Sequence, residues 1–405
     1  MTGSVRFERA PHAILARRSQ LLAQLPSFAP DASQHDMNNE YDIIIIGSGI
    51  AGVGLAAALG EGRKVLILEQ ESRPAFHSTG RSAAIFIQNY GNAAIRALSS
   101  ASAAMFHDPD PTLFPYPLLS QRGMMYVADE DGLEHHRHHL DAAQGMVSIT
   151  PDEAIAKVPA LRREKLAAAA FEADAQDVDV AALHEGWLRR TRALGAVLKT
   201  DAQVVSAERV GDRWRVEAAG GPFHAPIVVN AAGAWADDLA RRCGVATLGL
   251  TPMRRSIAVL PAPEHYDPTR WPLVADSAEG WYLKPDAGKL YVSPAEEIPV
   301  EPHDAFVDDM ILAEGLWRFE QAIDFPVTRV ERSWAGLRTF APDRTPVAGF
   351  DPKAEGFFWL AGQGGYGIQT SPALSALSAA LVKGERPPAG LEAVAETLSP
   401  GRFST

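Results

Sequence analysis

Residues 41–59 read "YDIIIIGSGIAGVGLAAAL", and this stretch constrains the fold more than any other part of the chain. The isoleucine run falls far short of the ~20 residues that cross a bilayer. It has the length and β-branched character of a strand buried on both faces. Gly47, Gly49 and Gly52 then form G-x-G-x-x-G at the entry to an Ala-rich helix, and "KVLILEQ" (64–70) supplies a second strand. Gly47 allows the tight turn, Gly49 lets backbone approach a pyrophosphate, and Gly52 lets helix and strand pack closely. The helix start, at Ile50 and Ala51, offers unpaired N–H groups and a positive dipole end to phosphate. Glu69 ends the second strand, with Gln70 beside it, where a carboxylate can accept ribose hydroxyls. A glycine-rich turn without a ligand leaves that placement unexplained. The unit predicts a Rossmann-like α/β domain that binds a dinucleotide.

The motif does not by itself separate FAD from NAD. "VVNAAGAW" (228–235) is a second strand ending in small residues, which brings backbone back to the cofactor from a distant part of the chain. An NAD dehydrogenase is more usually contiguous over its first ~150 residues. Elsewhere "TPDEA" (150–154) carries a capping box, and 177–196 reads as an amphipathic helix followed by a strand at 197–200. A further strand is expected near Val204, and short strands over 209–218 and 223–229. "GWYLKPDAGKLYVS" predicts a hairpin, and "GFFWLAGQGGYGIQTSPALSALSAALVKG" a strand, a glycine turn and a long helix. The layout expected is an FAD-binding domain over 41–119, 185–247 and 332–398, interleaved with an α+β substrate domain over 120–184 and 248–331 built on a mostly antiparallel sheet. Residues 1–40 are expected to form a poorly ordered extension, with Met37 as an alternative start.

Composition narrows the function. With 38 basic and 50 acidic residues the chain carries −12, which argues against a nucleic-acid surface. A single cysteine, Cys243, excludes a disulfide framework and fits a reducing compartment, so a cytoplasmic location without a transmembrane segment is expected. "EHHRHH" (134–139) could supply metal ligands, but no partner set has matching spacing. A solvated helix face is the expectation, and no metal.

"IIIIGSGIAG", "LEQESRPAFHSTGRSAA", "VNAAGAW", "WAGLRTFAPD" and "GQGGYGIQTS", in that order, resemble the FAD-dependent amine and amino-acid oxidoreductases of the D-amino-acid oxidase family. Within it the nearest likeness is to bacterial D-arginine dehydrogenases, over residues 41–400 or so. The resemblance implies non-covalent FAD, since Cys243 lies outside the flavin-facing blocks. It implies FAD contacts from Ser78, Thr79, Arg81, Ser82 and Ala83, with Arg81 offsetting phosphate or flavin charge. Val204 is expected at the adenine part, and Ala232, Gly233 and Trp235 at the diphosphate side. Gly364, Gly365, Tyr366, Gly367, Ile368 and Gln369 would aim a helix N-terminus at the flavin, where it stabilises the reduced, negative ring.

For the substrate, the resemblance implies that Arg255, Arg338, Tyr90 and Tyr282 hold a carboxylate, with Gly365 accepting from the amino group. A buried guanidinium needs an anion, and its planar fork matches a carboxylate. The alternative is that Arg254 and Arg255 are surface residues and Arg338 pairs with a structural acid such as Asp343. Where the arginine enzyme places an acid for the guanidinium, this chain has Met124. Ile85 and Ile87 are likewise apolar, and Leu273 and Ala275 complete the wall. A buried cation there would lack a partner. The expected activity is oxidative deamination of a D-amino acid with a neutral, apolar side chain. The electron acceptor is open between quinone, electron carrier and O2. Oxidation of a secondary amine such as sarcosine or proline, oxidation of a 2-hydroxy acid, and a non-catalytic FAD-binding electron-transfer subunit are the alternatives.

Overall fold

The isoleucine run forms the strand Ile43–Ile46, buried along its whole length, in a computed structural model that describes residues 39–403 apart from residue 144. The extension expected over 1–40 lies almost wholly outside the described residues. Ile43–Ile46 is central in a six-stranded sheet. It pairs in parallel with Val65–Leu68 on one side and Ile227–Asn230 on the other. Val197–Lys199 extends one edge in parallel. Phe357–Ala361 joins the other in parallel and carries the antiparallel strand Val347–Phe350. The sheet is therefore assembled from four separated parts of the chain, as the recurring strand-and-glycine segments suggest.

The helix Ile50–Leu59 is apolar on every side because it is covered on every side. It packs against both Gly367–Lys383 and Val180–Ala193. A Cβ on Gly54 would sit 2.4 Å from Ser375 Oγ and 2.7 Å from the Trp187 ring, so this glycine sets the spacing of three helices. Pro372 lies inside Gly367–Lys383 and cannot donate to the Ile368 carbonyl. The Ser371 hydroxyl donates to that carbonyl instead, at 2.6 Å.

The second large sheet has nine strands. Its pairing is antiparallel except where Leu273–Asp276 runs parallel to Met124–Ala128. The predicted hairpin is Tyr282–Asp286 against Lys289–Ser293, turning at Ala287 and Gly288, both at positive φ. Arg332–Phe340, placed by sequence with the FAD-binding segments, pairs along its length with Thr251–Leu260 in this sheet. The stretch 209–218 breaks at Gly211 into Ser206–Val210 and Arg213–Glu217, and the strand expected near Val204 begins only at Ser206.

One face of the nine-stranded sheet carries Met125, Val274 and Leu283 into its own core. The opposite face carries Met124, Tyr126, Leu273 and Ala275. Residues directly paired across a ladder share a face, so Tyr282, opposite Ala275, joins the second set. So does Arg255, by the alternation through Val259, Tyr291 and Tyr282. Met253 lies on the Arg255 side, and Arg338 pairs with it. Strand pairing alone thus gathers every expected substrate residue of this sheet onto one surface.

Candidate active site

Two adjoining clefts meet at Gly49, Ser78 and Thr79. The first is lined by Gly47, Glu69, Gln70, Val204, Ala232, Gly233 and Trp235. The second runs past Ile50, Ala51, Arg81, Ser82 and Ala83 to Tyr90, Arg255, Tyr282, Arg338 and the turn Gln363–Gly365.

The glycines of the first cleft divide as the motif requires. A Cβ on Gly47 would lie 2.3 Å from the Ala231 carbonyl, and one on Gly52 only 2.0 Å from the Gly47 carbonyl. Both are fixed by packing. A Cβ on Gly49 would meet only Thr79 Oγ1, at 3.2 Å, leaving its other side open to the cleft. The open glycine faces the groove and the closed ones build it, which is the arrangement a pyrophosphate needs. Glu69 is held in place: Oε2 accepts from Ser48 N at 2.9 Å, and Oε1 from Glu71 N at 3.0 Å. The Ser48 hydroxyl also donates to Oε2, at 2.5 Å, so Oε1 is the oxygen that keeps a lone pair for a ribose hydroxyl. The Ile50 N–H is taken by Thr79 Oγ1 at 3.0 Å, so the first N–H of this helix serves the loop.

Residues 77–91 have little regular structure of their own because other elements hold them. The Ser78 hydroxyl donates to the Leu337 carbonyl at 2.6 Å, and Trp334 Nε1 donates to the Arg81 carbonyl at 3.0 Å. Ile85–Phe86 pairs with Gln176–Val178. Gln369 clasps Ile87 from both sides, accepting from its N–H at 3.2 Å and donating to its carbonyl at 3.1 Å. Two expectations change here. Arg81 lines the cleft, but its guanidinium pairs with Asp304 and donates to the Ala305 and Ala335 carbonyls, so its charge is already matched. The Gln369 side chain is likewise committed to Ile87 and Ser99.

The two arginines differ. Arg255 donates to Glu297 Oε1 at 3.1 Å, and Arg344 holds the other oxygen of that carboxylate at 2.7 Å. Burial and the neighbouring Arg338 push the Arg255 pKa down. Among the described residues Arg338 has no acid of its own: Asp343, the sequence alternative, pairs with Arg402 at 2.8 Å. Its Nη1 is buried with no hydrogen-bond partner among the described residues. Burial works against its charge, but Tyr90, Tyr282 and Glu297 outweigh that and hold its pKa up. An orphaned guanidinium nitrogen in a cleft calls for an anion. Tyr90 stacks obliquely on Tyr366 with ring centres 4.8 Å apart, and burial raises the Tyr366 hydroxyl to about 12.

Ile87, Met124, Leu273 and Ala275 form one apolar cluster, with Ile85, Tyr90 and Tyr282 packed against it. The expected side-chain wall is thus one surface, continuous with the cleft through its last three members. Sequence reading missed Tyr126, Met146 and Ala175 in this cluster, and it missed Glu172. The histidine run is not a solvated face throughout. His136 packs onto Ser277, with Nδ1 3.0 Å from its hydroxyl, and His139 stacks on Tyr126 at 4.4 Å. Among the described residues no group of three or more His, Cys, Asp or Glu could hold a metal, and no helix is long and apolar enough to cross a membrane. Cys243 is buried in a core and lines neither cleft, and burial pushes its thiol up to about 12.

The model of a family described as FAD dependent oxidoreductase matches residues 42–381. Glycine oxidase from Geobacillus kaustophilus is 25% identical over 370 residues, covering 86% of this chain and 94% of that protein. FAD-dependent oxidoreductase domain-containing protein 1 from Xenopus laevis is 22% identical over 90% of this chain and 84% of its own length. Among solved structures, L-proline dehydrogenase from P. horikoshii superposes with a TM-score of 0.77 at 23% identity, covering 90% of this chain and 98% of that one.

Proposed function

As a member of the FAD-dependent oxidoreductase family, this chain is an enzyme that oxidises amines or amino acids with FAD, and we propose that its substrate is a free D-amino acid with a neutral, apolar side chain. The observation that carries this reading is the orphaned Arg338 nitrogen beside an apolar wall. The guanidinium takes the carboxylate, and the wall of Ile85, Ile87, Met124, Leu273 and Ala275 takes the side chain. Tyr90 and Tyr282 close the carboxylate end. Arg255, with one arm committed to Glu297, adds positive charge rather than a full fork. The Gly365 carbonyl, beside Arg338, accepts from the amine and keeps its lone pair directed for reaction.

The groove suits the cofactor, and the open Gly49 with the anchored Glu69 are the features that support this. Gly47, Gly49, Glu69, Gln70, Val204, Ala232 and Gly233 would hold its adenosine and diphosphate, and Ser78 to Ala83 with Gly364 to Ile368 its ring. The chemistry FAD supplies when bound is a hydride acceptor at N5. As the Cα–H leaves with its electron pair, the amine lone pair forms an imine, which water hydrolyses to a 2-oxo acid and ammonia. The protein's part is orientation and exclusion of water, so no catalytic His or Ser is required.

Anaerobic titration of the flavin absorbance with paired D- and L-amino acids tests this reading. Bleaching by D-Leu, D-Met or D-Phe in preference to D-Arg and D-Lys is the expected result. Sarcosine, D-proline and a 2-hydroxy acid in the same assay address the other substrate classes, and bleaching by none of these would point to an electron-transfer subunit.

A further inference from the structure

Resting on the amino-acid reading above, we infer that Glu172 decides which side chains the pocket accepts: protonated, it closes an apolar pocket, and ionised, it receives a side chain that ends in a hydrogen-bond donor.

Glu172 ends the strand Ala168–Glu172 directly opposite Met124. Directly paired residues share a face, so Glu172 stands on the surface that bears Met124, Tyr126, Leu273 and Ala275. The acid absent from position 124 is therefore present one strand away. It is 4% exposed. Its Oε1 accepts from Asn89 Nδ2 at 3.1 Å, and Asn89 lies between Ile87 and Tyr90, two residues of the substrate wall. Its Oε2 is buried and has no hydrogen-bond partner among the described residues.

A buried carboxylate with one empty oxygen is costly when ionised. Burial, opposed by the Asn89 bond and assisted by Asp174, pushes its pKa up to about 7. Few charges face it. Asp174 follows on its own strand's exit, Tyr126 stands across the ladder with His139 stacked upon it, and the loop contributes the neutral Asn89 and Tyr90. Ser148, on the strand beyond, is neutral. Lys157 is spent over the Phe171 ring, on the next residue of the strand. Among the described residues no fixed cation pairs with the carboxylate. An apolar side chain seated against it removes its last access to water and so binds with proton uptake, while a terminal ammonium or hydroxyl supplies the missing donor.

Norleucine and lysine share a straight four-carbon side chain, which ends there as a methyl in norleucine and carries a terminal ammonium in lysine. The experiment measures kcat/KM for both, in the enantiomer the enzyme uses, between about pH 5.5 and 8.5. Titration of the α-amine and of the flavin affects both substrates and cancels in their ratio. In the wild-type enzyme the norleucine-to-lysine ratio falls by tenfold or more as pH rises through Glu172's titration. In Glu172→Gln, which keeps the acceptor for Asn89, the ratio is independent of pH and norleucine activity persists at the alkaline end. A flat ratio in the wild type, or an equal slope in Glu172→Gln, overturns the inference while leaving the amino-acid reading intact. If neither amino acid bleaches the flavin, the underlying reading falls and this one with it.

Discussion

Gly365 lies against the guanidinium of Arg338: a Cβ at this glycine would stand 3.1 Å from both Cζ and Nη1 of the arginine. The glycine turn after Phe357–Ala361 therefore does more than start a helix. It leaves the room that the guanidinium occupies beside the cleft. Gly364 is bound as tightly, since its Cβ would fall 2.2 Å from the Phe340 ring.

Arg338→Ala should raise KM by roughly 10- to 100-fold, because charge-assisted hydrogen bonds contribute about 1.5–3 kcal/mol. Flavin content should be unchanged, as the residue has no part in the dinucleotide groove. Arg338→Lys should recover only part of the loss, a point charge being unable to replace the planar fork. Steady-state kinetics with the best amino acid check this, and an unchanged KM would remove Arg338 from the carboxylate site.

Gly365→Ala should act first through Arg338, the side chain that the new methyl would meet. The added methyl displaces the guanidinium by a few tenths of an ångström, so kcat/KM falls about tenfold while the purified protein keeps its flavin spectrum. Gly52→Ala should do the reverse. With its Cβ driven into the Gly47 carbonyl it opens the turn, and the protein should purify with little FAD and a lower Tm.

Gln369→Leu removes both bonds that fix Ile87. Two buried backbone groups then lack partners, at about 1–3 kcal/mol each. Thermal denaturation should report lower stability, and discrimination among apolar side chains should weaken because Ile85, Ile87 and Tyr90 lie on the released segment.

Glu172 gives a pH signature in stability as well. Its folded pKa, about 7, lies above the ordinary 4.5, so the folded state holds the proton more tightly. Below pH 4.5 both states are protonated and there is no difference. Between 4.5 and 7 the unfolded chain releases its proton first, and stability falls as pH rises. Above 7 the loss is complete. Glu172→Gln has no such group, so its Tm relative to wild type should climb across that window and then level off.

The phosphate loop, the hairpin and the final strand–turn–helix were legible because each depends on neighbours a few residues apart. Glycines and alternating apolar residues carry that information locally. Arg338 was legible as a charge in apolar surroundings, but its freedom from Asp343 became visible only with Arg402 in place. Glu172 left no local trace. Nothing in "FEADAQ" says that its strand lies beside Met124–Ala128, since ladder partners are chosen by the whole sheet. The same limit applies to Arg332–Phe340, whose partner Thr251–Leu260 gives it to the substrate-side sheet. The Asp304 partner of Arg81 was hidden for a related reason: it sits in a distant loop.

FAD held without a covalent bond is the remaining expectation. Cys243 is sealed in the core, and its thiol is too weakly acidic to react readily. Acid precipitation should leave the yellow colour in the supernatant.

The clasp between Gln369 and Ile87 joins positions 282 residues apart, and Phe357–Ala361 must dock on Ile227–Asn230 before the final glycine turn can reach the cleft. A ribosome that has only just made Phe357–Ala361 has therefore exposed the whole phosphate-binding motif and none of the final glycine turn. Flavin capture in the native pocket must await this last turn, and a nascent chain stalled before residue 369 should bind the cofactor loosely if at all.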